Sequence, residues 1–350
     1  MPIFLLSEVD VALSFDDVLL VPRYSEVRSR LLTDTSTYLT NNIKLNTPIC
    51  SSAMDTVSET AMAVAVSRAG GISFLHRFCD DEYMLSMVRD VVSVGERVVA
   101  SVGIRDDLVS WVGKLLENGA VAVSIDVANG HALHVIKAVE DIKETFSNDC
   151  QLIAGNVCTA AGVRDLALAG ADCVRVNIGS GSLCCTRVNT GCGLPSFTTI
   201  IECYDEIQHQ GIRMITDGGV KNSGDVVKAV AAGVDVCMVG YLFSRAEEAP
   251  GEVVIRDGKT YKKYRGMASE EAQTSFKGGL KPGTVAEGAS TYVPVDTSAS
   301  SVVEYLTGGL RSGMTYCGAK NILELRSKAV FRRISMSSYY EGKPFGVNLV

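Results

Sequence analysis

A cysteine in a run of small residues is the strongest candidate for chemistry in this sequence. Cys184 follows the segment Gly179-Ser180-Gly181-Ser182-Leu183 and comes two residues before Thr186. A thiolate is a strong nucleophile where a helix terminus or a nearby cation lowers its pKa. The residues alone leave two interpretations open, a nucleophilic cysteine and an inert thiol that packs as a small apolar side chain. Carbonyl groups of the loop could also bind a monovalent cation such as K⁺, with Gly179, Gly181 and Cys184 as candidate ligands.

Two glycine-containing segments are candidates for binding a phosphate group. Asp217-Gly218-Gly219 forms one of them and Gly240 belongs to the other. Glycine lets backbone N–H groups approach an anion closely, and Asp217 would accept hydrogen bonds from ribose hydroxyls. The alternatives are that the glycines only form tight turns and that Asp217 caps a helix.

Composition and charge exclude several classes of protein. Of the 350 residues, 47% are hydrophobic and 21% charged, so the chain can bury a large core and is not predominantly disordered. The net charge of −7 disfavours a nucleic-acid partner. No membrane span is predicted, because no apolar run approaches the ~18 residues that one needs. Residues 1–13 show no signal-peptide pattern, and eleven cysteines without a CxxC pair favour a reducing, cytoplasmic location.

The elements that must position these residues follow a repeating order. From about residue 47, short apolar segments typical of buried parallel strands alternate with amphipathic helical segments. Glycines that could turn left-handed after a helix precede three of the strands: Gly119, Gly170 and Gly233. The predicted strands are 48–52, 71–75, 98–103, 121–126, 151–155, 172–177, 213–216 and 235–239. The clearest predicted helices between them are 107–118, 132–146, 160–169 and 223–232.

Eight strands with intervening helices predict an α/β protein, a (β/α)₈ TIM barrel that forms a single domain over residues 1–350. Residues that follow each strand form the active site of such a barrel, and Cys184, Asp217 and Gly240 all occupy such positions. We therefore expect them to share one cavity. The predicted parts are an amino-terminal extension (1–46), the barrel strands (47–240), and a carboxyl-terminal region (241–350) with a hairpin around Asp257-Gly258, a flap at 277–284, helices at 301–308 and 321–329, and a tail from 335.

Several segments together resemble the IMP dehydrogenase/GMP reductase family. The segment from Asn177 to Cys184 is similar to the cysteine loop of that family. The resemblance extends over nearly the whole chain. The other matching segments are Phe15-Asp16-Asp17-Val18-Leu19-Leu20, Met54-Asp55-Thr56-Val57, Ala154-Gly155-Asn156-Val157, Asp217-Gly218-Gly219, Tyr264-Arg265-Gly266-Met267 and Gly308-Gly309-Leu310-Arg311-Ser312. The resemblance implies a purine nucleoside monophosphate substrate, attack on its C2 by Cys184, hydride exchange with a nicotinamide cofactor, and a homotetramer.

The resemblance also implies roles for individual residues. Thr186 would assist at the reacting carbon, and Glu270 would donate a proton to departing ammonia. The alternative for Glu270 is that it only favours the start of a helix capped by Ser269. Residues that would bind the nucleotide are Ser52, Met54, Ser182, Asp217, Gly218, Gly219, Gly240, Tyr264, Gly266, Met267 and Ala268. Residues that would bind the cofactor are Asp126, Asn129 and Gly179, with Arg311 and Ser312 as candidates for a 2′-phosphate.

The two activities of the family differ in what they require of the flap. GMP reductase expels ammonia and takes hydride from NADPH, whereas IMP dehydrogenase gives hydride to NAD⁺ and then hydrolyses the covalent intermediate. The hydrolysis uses an Arg-Tyr pair on the flap, and the segment Phe276–Gly288 contains neither residue. The loop Asp126–Gly130 also looks like that of the reductases. The pair of CBS domains inserted in most dehydrogenases is missing, since His76-Arg77 runs directly into the next predicted helix.

Other residues resemble the dehydrogenases or depart from the family. Gly179-Ser180-Gly181-Ser182 and Gly313-Met314 are closer to the dehydrogenases. Asn177, Cys185 and Tyr241 stand where the family has Gly, Thr and a small residue. We predict an NADPH-dependent GMP reductase. Two alternatives remain, an IMP dehydrogenase without CBS domains and a purine-nucleotide-binding barrel without catalytic activity.

Overall fold

The computed structural model describes residues 10–344, except for the side chain of Lys277. Residues 1–9 of the predicted extension and residues 345–350 of the predicted tail lie outside the described residues. The described part begins with a 3₁₀ turn and three short strands. These strands are β1 (Val18–Leu20), β2 (Thr37–Thr40) and β3 (Ile43–Leu45).

Eight parallel strands close into a barrel, so the predicted (β/α)₈ fold is confirmed. The strands are β4 (Ile49–Ser51), β5 (Ile72–Leu75), β6 (Val98–Val102), β7 (Ala122–Asp126), β8 (Leu152–Val157), β9 (Cys173–Val176), β10 (Arg213–Asp217) and β11 (Val236–Val239). Each pairs with the next in the chain, and β11 pairs with β4 to close the barrel. Almost every strand residue is buried, because one face points into the barrel and the other lies against the helices.

Helices follow the strands on the outside of the barrel. They are α1 (Thr60–Arg68), α2 (Asp81–Ser93), α3 (Leu108–Glu117), α4 (Leu133–Phe146), α5 (Ala160–Leu168), α6 (Thr186–Thr190), α7 (Ser196–Ile207), α8 (Ser223–Ala232) and α9 (Tyr241–Ser244). The predicted left-handed glycines after α3, α5 and α8 are confirmed. Gly119, Gly170 and Gly233 have φ angles of 98°, 106° and 129°, which other residues adopt only with strain.

The barrel interior is apolar along most of its length and polar at its mouth. Inward-facing strand residues form one apolar cluster with Leu39 and Leu45 of the β2–β3 hairpin, which lies against β10 and β11. The carboxyl-terminal parts of β7, β9 and β10 carry Asp126, Arg175 and Asp217, whose side chains contact one another. The fold therefore gathers charged groups at the end of the barrel where the active site of such a fold lies.

The carboxyl-terminal region adds a small sheet and further helices. Its elements are β12 (Val253–Arg256), β13 (Lys259–Arg265), α10 (Glu270–Lys277), β14 (Ser290–Pro294), α11 (Ala299–Tyr316), α12 (Ile322–Lys328), β15 (Phe331–Arg333) and α13 (Met336–Glu341). The hairpin predicted around Asp257-Gly258 is confirmed, and β14 adds a third strand to it. Part of the predicted tail forms α13, and the strand just before the tail, β15, pairs with β1.

Helix α11 is longer than the sequence pattern indicates. We expected a helix over 301–308 that ends at the glycine pair, but α11 continues to Tyr316. The reason is its packing against α8. A Cβ atom on Gly309 would overlap Ser223, and one on Gly313 would overlap Val227. These glycines therefore allow close contact between two helices instead of ending one.

Candidate active site

A cavity of about 670 Å³ opens at the carboxyl ends of the barrel strands. Its walls come from the loops that follow the strands and from the segment between β13 and β14. Most of the residues predicted from the sequence line it: Ser52, Met54, Asp126, Gly179, Gly181, Ser182, Cys184, Thr186, Asp217, Gly218, Gly219, Gly240, Tyr264, Gly266, Met267 and Ala268. The barrel thus brings the predicted nucleophile, the glycine loops and Asp126 together in one place.

Cys184 stands apart from the structural cysteines by its exposure and its neighbours. Its side chain lines the cavity and its thiol donates a hydrogen bond to Thr186 Oγ1 at 3.1 Å. Burial raises the pKa of the Cys173 and Cys237 thiols, which pack inside the barrel wall. Cys184 lies two residues before α6, whose N-cap is Cys185. The geometry therefore favours the nucleophile over the packed thiol.

The acid beside Thr186 is Glu287, and not Glu270 as the sequence suggested. The Thr186 hydroxyl donates to Glu287 Oε2 at 2.8 Å. Glu270 does not line the cavity; it is the first residue of α10, which Ser269 caps. Its position therefore matches the alternative reading, a carboxylate at a helix start. Glu287 could have been noticed, because it is the only acidic residue of the segment 276–288.

Backbone hydrogen bonds fix the end of the flap against the cysteine loop. The Cys185 N–H donates to the Glu287 carbonyl at 2.7 Å, and the Ala289 N–H donates to the Leu183 carbonyl at 2.9 Å. On the other side, the Glu287 N–H donates to the Ala268 carbonyl at 3.0 Å. The loop that carries the nucleophile and the flap end that carries Glu287 therefore form one hydrogen-bonded unit.

Hydroxyl groups and a glycine converge on one part of the cavity. A Cβ atom on Gly240 would lie 3.2 Å from the Tyr264 hydroxyl and 3.3 Å from both the Met54 sulfur and the Ser52 hydroxyl. The hydroxyls of Tyr264 and Ser182 are 2.8 Å apart. Burial raises the pKa of Tyr264 to about 12, so its hydroxyl stays protonated at neutral pH. Backbone amides and hydroxyl donors of this kind can bind a phosphate without a cationic side chain.

The glycines after β10 allow two loops to approach closely. Gly218 and Gly219 have φ angles of 77° and 81°. A Cβ atom on Gly218 would lie 2.9 Å from the Gly181 nitrogen, and one on Gly219 would lie 2.8 Å from the Ser196 hydroxyl. A larger residue at Gly218 would push this segment away from the cysteine loop, and one at Gly219 would clash with Ser196 at the start of α7.

A buried arginine on β9 contacts two carboxylates of the cavity, those of Asp126 and Asp217. Arg175 is 4% exposed, and its Nη2 lies 2.8 Å from Asp126 Oδ1 and 3.2 Å from Asp217 Oδ2. Burial lowers the pKa of Arg175, but Asp126 and Asp217 raise it more, so the guanidinium is charged. Burial raises the pKa of Asp126, yet Arg175 and Arg77 lower it more, and the net shift is downward. The sequence analysis did not identify Arg175 because it lies in an otherwise apolar strand. A charged residue within a buried strand needs a partner of opposite charge, and this could have pointed to it.

A second ion pair joins two of the motif segments. Asp55 lies in the loop after β4, and Arg265 ends β13. The Arg265 guanidinium donates to Asp55 Oδ2 through Nε at 3.0 Å and through Nη2 at 2.5 Å. Both side chains are well buried. The pair fixes the segment 264–268, which lines the cavity, to the barrel.

Four predicted site residues lie outside the cavity. Asn129 accepts a hydrogen bond from the His131 N–H at 3.2 Å, in the loop after β7. Arg311 donates to the Thr33 carbonyl, and Ser312 donates to the Gly308 carbonyl at 3.0 Å, both on α11. The fourth residue is Glu270, described above. The structure therefore does not bring Arg311, Ser312 or Asn129 to the nucleophile within one chain.

The three departures from the family pattern occupy distinct places. Asn177 has a φ of 94°, a conformation that Gly adopts freely and Asn tolerates, and its Nδ2 donates to Thr216 Oγ1 at 2.7 Å. Tyr241 lines the cavity with its ring centroid 6.2 Å from that of Tyr264. Cys185 is half-buried and does not line the cavity.

Neither a side-chain metal site nor a membrane-spanning helix is found in the described part of the chain. Within residues 10–344, no group of three or more His, Cys, Asp or Glu side chains could hold a metal ion. The predicted monovalent site would use carbonyl groups of the cysteine loop instead; one of them, the Gly181 carbonyl, accepts a hydrogen bond from the Cys184 N–H at 3.0 Å, and Gly179 has a φ of 80°. No helix of the described part is long and apolar enough to cross a membrane.

Known proteins resemble this chain over its whole length. The family model described as "IMP dehydrogenase / GMP reductase domain" matches residues 12–345. Inosine-5′-monophosphate dehydrogenase from Nitrosopumilus maritimus is 32% identical over 477 aligned positions, which cover 98% of this chain and all of that protein. The enzyme of the same name from Cryptosporidium parvum is 34% identical over 391 positions, covering 97% and 96% of the two chains.

A solved structure matches equally well. A cysteine-to-alanine variant of GMP reductase from Trypanosoma brucei, in complex with guanosine 5′-monophosphate, superposes with a TM-score of 0.92 at 28% identity, covering 98% of this chain and 99% of that one. The 477 positions aligned with the N. maritimus enzyme exceed the 350 residues here, because that relative carries additional residues; this chain lacks a CBS insertion. The family consists of oxidoreductases that act on purine nucleotides with a nicotinamide cofactor. By sequence and by fold, this chain belongs to the IMP dehydrogenase/GMP reductase family.

Proposed function

We propose that the protein is an NADPH-dependent GMP reductase. The observation that carries the proposal is the hydrogen-bonded series from Cys184 through Thr186 to Glu287, at the end of a flap without Arg or Tyr. Reductive deamination needs a nucleophile and an acid that protonates departing ammonia. The series supplies both, whereas the Arg-Tyr pair expected of a hydrolytic dehydrogenase is missing from the flap.

The reaction divides into two steps at C2 of the guanine base. In the first step the Cys184 thiolate forms a bond to C2, and the bond between C2 and its exocyclic amino nitrogen breaks to release ammonia. Glu287 supplies one proton to the departing nitrogen through the Thr186 hydroxyl. When bound, reduced nicotinamide supplies a hydride that replaces the sulfur at C2. Cys184 then leaves as a thiolate. Overall, GMP, NADPH and two protons give IMP, NADP⁺ and ammonium.

The remaining cavity residues would position the nucleotide so that C2 of its base lies next to Cys184. The hydroxyls of Ser182 and Tyr264 and the backbone at Gly219 and Gly240 suit the phosphate, and Asp217 suits the ribose hydroxyls. Ser52, Gly218, Gly266 and Ala268 shape the same pocket, with Met54 and Met267 giving apolar contact to the base. Glycines at these close approaches support the assignment, since a Cβ would fill the space.

The nicotinamide would lie on the side of Asp126 and Gly179, next to the nucleophile. Asn129 follows Asp126 in the same loop and is proposed to contact the cofactor at its outer edge. Arg311 and Ser312 lie outside this cavity, so they stay candidates for the 2′-phosphate only in the homotetramer that we expect. A K⁺ ion at the carbonyls of Gly179, Gly181 and Cys184 would help to fix the conformation of the cysteine loop.

Absorbance at 340 nm tests the proposal directly. Purified protein is mixed with GMP and NADPH, and in a matched reaction with IMP and NAD⁺, each with and without K⁺. We expect a decrease in absorbance with GMP and NADPH and no change with IMP and NAD⁺. An increase with IMP and NAD⁺ alone would overturn the reductase in favour of the dehydrogenase.

The dehydrogenase is the second candidate, and a specific observation favours it. The relatives described above are named inosine-5′-monophosphate dehydrogenase, although the structural neighbour is a GMP reductase. Glu287 beside Thr186 could also take a proton from water. An inactive nucleotide-binding barrel is disfavoured because Cys184 keeps its contact with Thr186. Failure of both reactions, with GMP still bound, would support that third reading.

A further inference from the structure

One nitrogen of Arg175 contacts three acceptors at the cavity mouth. Its Nη2 lies 2.8 Å from Asp126 Oδ1, 3.2 Å from Asp217 Oδ2 and 2.7 Å from Asn156 Oδ1. An Nη2 atom carries only two hydrogens, so three acceptors compete for two donors. The Nε of the same guanidinium is buried without a hydrogen-bond partner among the described residues. In the described part of the chain, the Nη2 of Arg175 thus has more acceptors than hydrogens, whereas its Nε–H donates no hydrogen bond.

The surroundings restrict Arg175 to small shifts among these acceptors. Gly155 on the neighbouring strand makes room for it, since a Cβ there would lie 2.6 Å from the Arg175 Cβ. Asn156 forms a second link, because its Nδ2 donates to Asp217 Oδ2 at 2.9 Å. Among the described residues these contacts fall on Oδ2 of Asp217 and leave Oδ1 for a ligand. Within residues 10–344, Arg77 contacts Asp126 but not Asp217: its Nε lies 3.4 Å from Asp126 Oδ2 and donates to the Asp126 carbonyl at 3.0 Å.

We propose that Arg175 couples nucleotide binding at Asp217 to cofactor binding at Asp126. The inference rests on the proposed function, which places the ribose hydroxyls at Asp217 and the nicotinamide at Asp126. A ribose diol donates two hydrogen bonds to Asp217 and reduces the need of that carboxylate for Arg175. The two N–H groups of Nη2 then bond to Asp126 and Asn156 and hold the Asp126 carboxylate in one orientation. Arg175 acts through the carboxylates and is a positioning residue.

Coupling of this kind has a measurable consequence. If the nucleotide orders Asp126, the cofactor binds more tightly to the nucleotide complex than to the free protein. By linkage, the cofactor tightens nucleotide binding by the same factor. The ribose diol is the part of the nucleotide responsible, so a nucleotide without 2′- and 3′-hydroxyls should lose this effect while keeping contact between its base and the nicotinamide.

Calorimetric titration of the wild-type protein provides the test. The affinity for NADP⁺ is measured alone, with saturating GMP and with saturating 2′,3′-dideoxy-GMP; GMP and NADP⁺ do not react with each other in a reductase. We expect GMP to tighten NADP⁺ binding at least about fivefold more than the dideoxy nucleotide does. Equal tightening by the two nucleotides would overturn the coupling. If GMP itself does not bind, the proposed function fails as well, so the two failures are distinguishable.

Two matched variants sharpen the result. Arg175→Lys keeps the charge but replaces the planar fork with a single ammonium, so it cannot link the acceptors in the same way. We expect it to bind each ligand singly and to lose the difference between GMP and dideoxy-GMP. Arg77→Lys, which perturbs Asp126 without touching Asp217, should keep the difference. Retention of the difference in Arg175→Lys would contradict the proposal; if that variant does not fold, the wild-type titration decides alone.

Discussion

The cavity has two sides that hold their functional groups differently. The strand side consists of three buried or half-buried residues on β7, β9 and β10: Asp126, Arg175 and Asp217. The flap side consists of the exposed Cys184 and the half-buried Thr186 and Glu287, which lie on loops or at the start of a short helix. The strand side is fixed by buried charge pairs, and the flap side by backbone hydrogen bonds between two loops. The residues proposed to bind the ligands are thus part of the barrel strands, whereas those proposed to react lie on segments outside the strands.

The largest effect is expected from removal of the nucleophile on the flap side. Cys184→Ala should reduce turnover by about 10³-fold or more, because no covalent bond to C2 can form. Steady-state rates at saturating GMP and NADPH measure the loss. Cys185→Ala is the matched control, since Cys185 does not line the cavity, and it should stay close to wild type. Substantial turnover by Cys184→Ala would show that the nucleophile is misassigned.

The acid of the flap side is expected to have the next largest effect. Glu287→Gln keeps the size of the side chain but cannot give up a proton, so turnover should fall by about 10²-fold. Glu270→Gln changes the carboxylate that the sequence suggested and should have little effect on turnover. The same steady-state assay compares the two. A greater loss in Glu270→Gln than in Glu287→Gln would reverse the assignment made from the structure.

A substitution on the strand side should lower the free energy of unfolding, whereas one on the flap side should leave it nearly unchanged. Asp126→Asn removes one of the two charges that face Arg175, and should lower the free energy of unfolding by about 2 kcal/mol. Glu287→Gln should change it by less than about 0.5 kcal/mol, because that side chain is not part of a buried charge network. Urea denaturation measures both variants. Equal losses would mean that the two sides are held in the same way.

A smaller effect is expected in the pH dependence of stability. Since the folded protein lowers the pKa of Asp126, the ionised carboxylate stabilises the fold above the unfolded value of about 3.9. This contribution is lost as the pH falls through the lower, folded value. Between pH 5 and 3 the unfolding free energy of wild type should therefore fall more steeply than that of Asp126→Asn. Parallel curves in denaturation at stepped pH would contradict a charged Asp126.

Much of the fold could be predicted because its signals are local. Each barrel strand is a short apolar run, and the glycines after three helices take the left-handed conformation that their positions indicate. The length of α11 could not be predicted, because Gly309 and Gly313 serve contacts with α8 that are distant in the sequence. From the sequence alone, a glycine pair predicts the end of a helix, because the helix that packs against it cannot be identified there.

The candidate site divides in the same way. Cys184 and Asp217 could be predicted because barrel topology brings the loop after β9 and the end of β10 to the same end of the barrel. Glu287 reaches Thr186 only through pairing of the flap with the cysteine loop, about 100 residues away in the chain, whereas the resemblance to the reductases points to Glu270. The role of Arg175 could not be predicted for a different reason. A charged residue within a buried strand must be paired with opposite charges, and its partners, Asp126 and Asp217, are identified only in the folded structure.

The central claim is that this active site removes ammonia from GMP at the expense of reduced nicotinamide. The most direct measurement is the ammonia released from GMP, determined in parallel with the NADPH consumed by the same sample. The account predicts one ammonia for each NADPH, and neither product with Cys184→Ala. NADPH consumption without ammonia, or NADH formation from IMP with no ammonia from GMP, would contradict it.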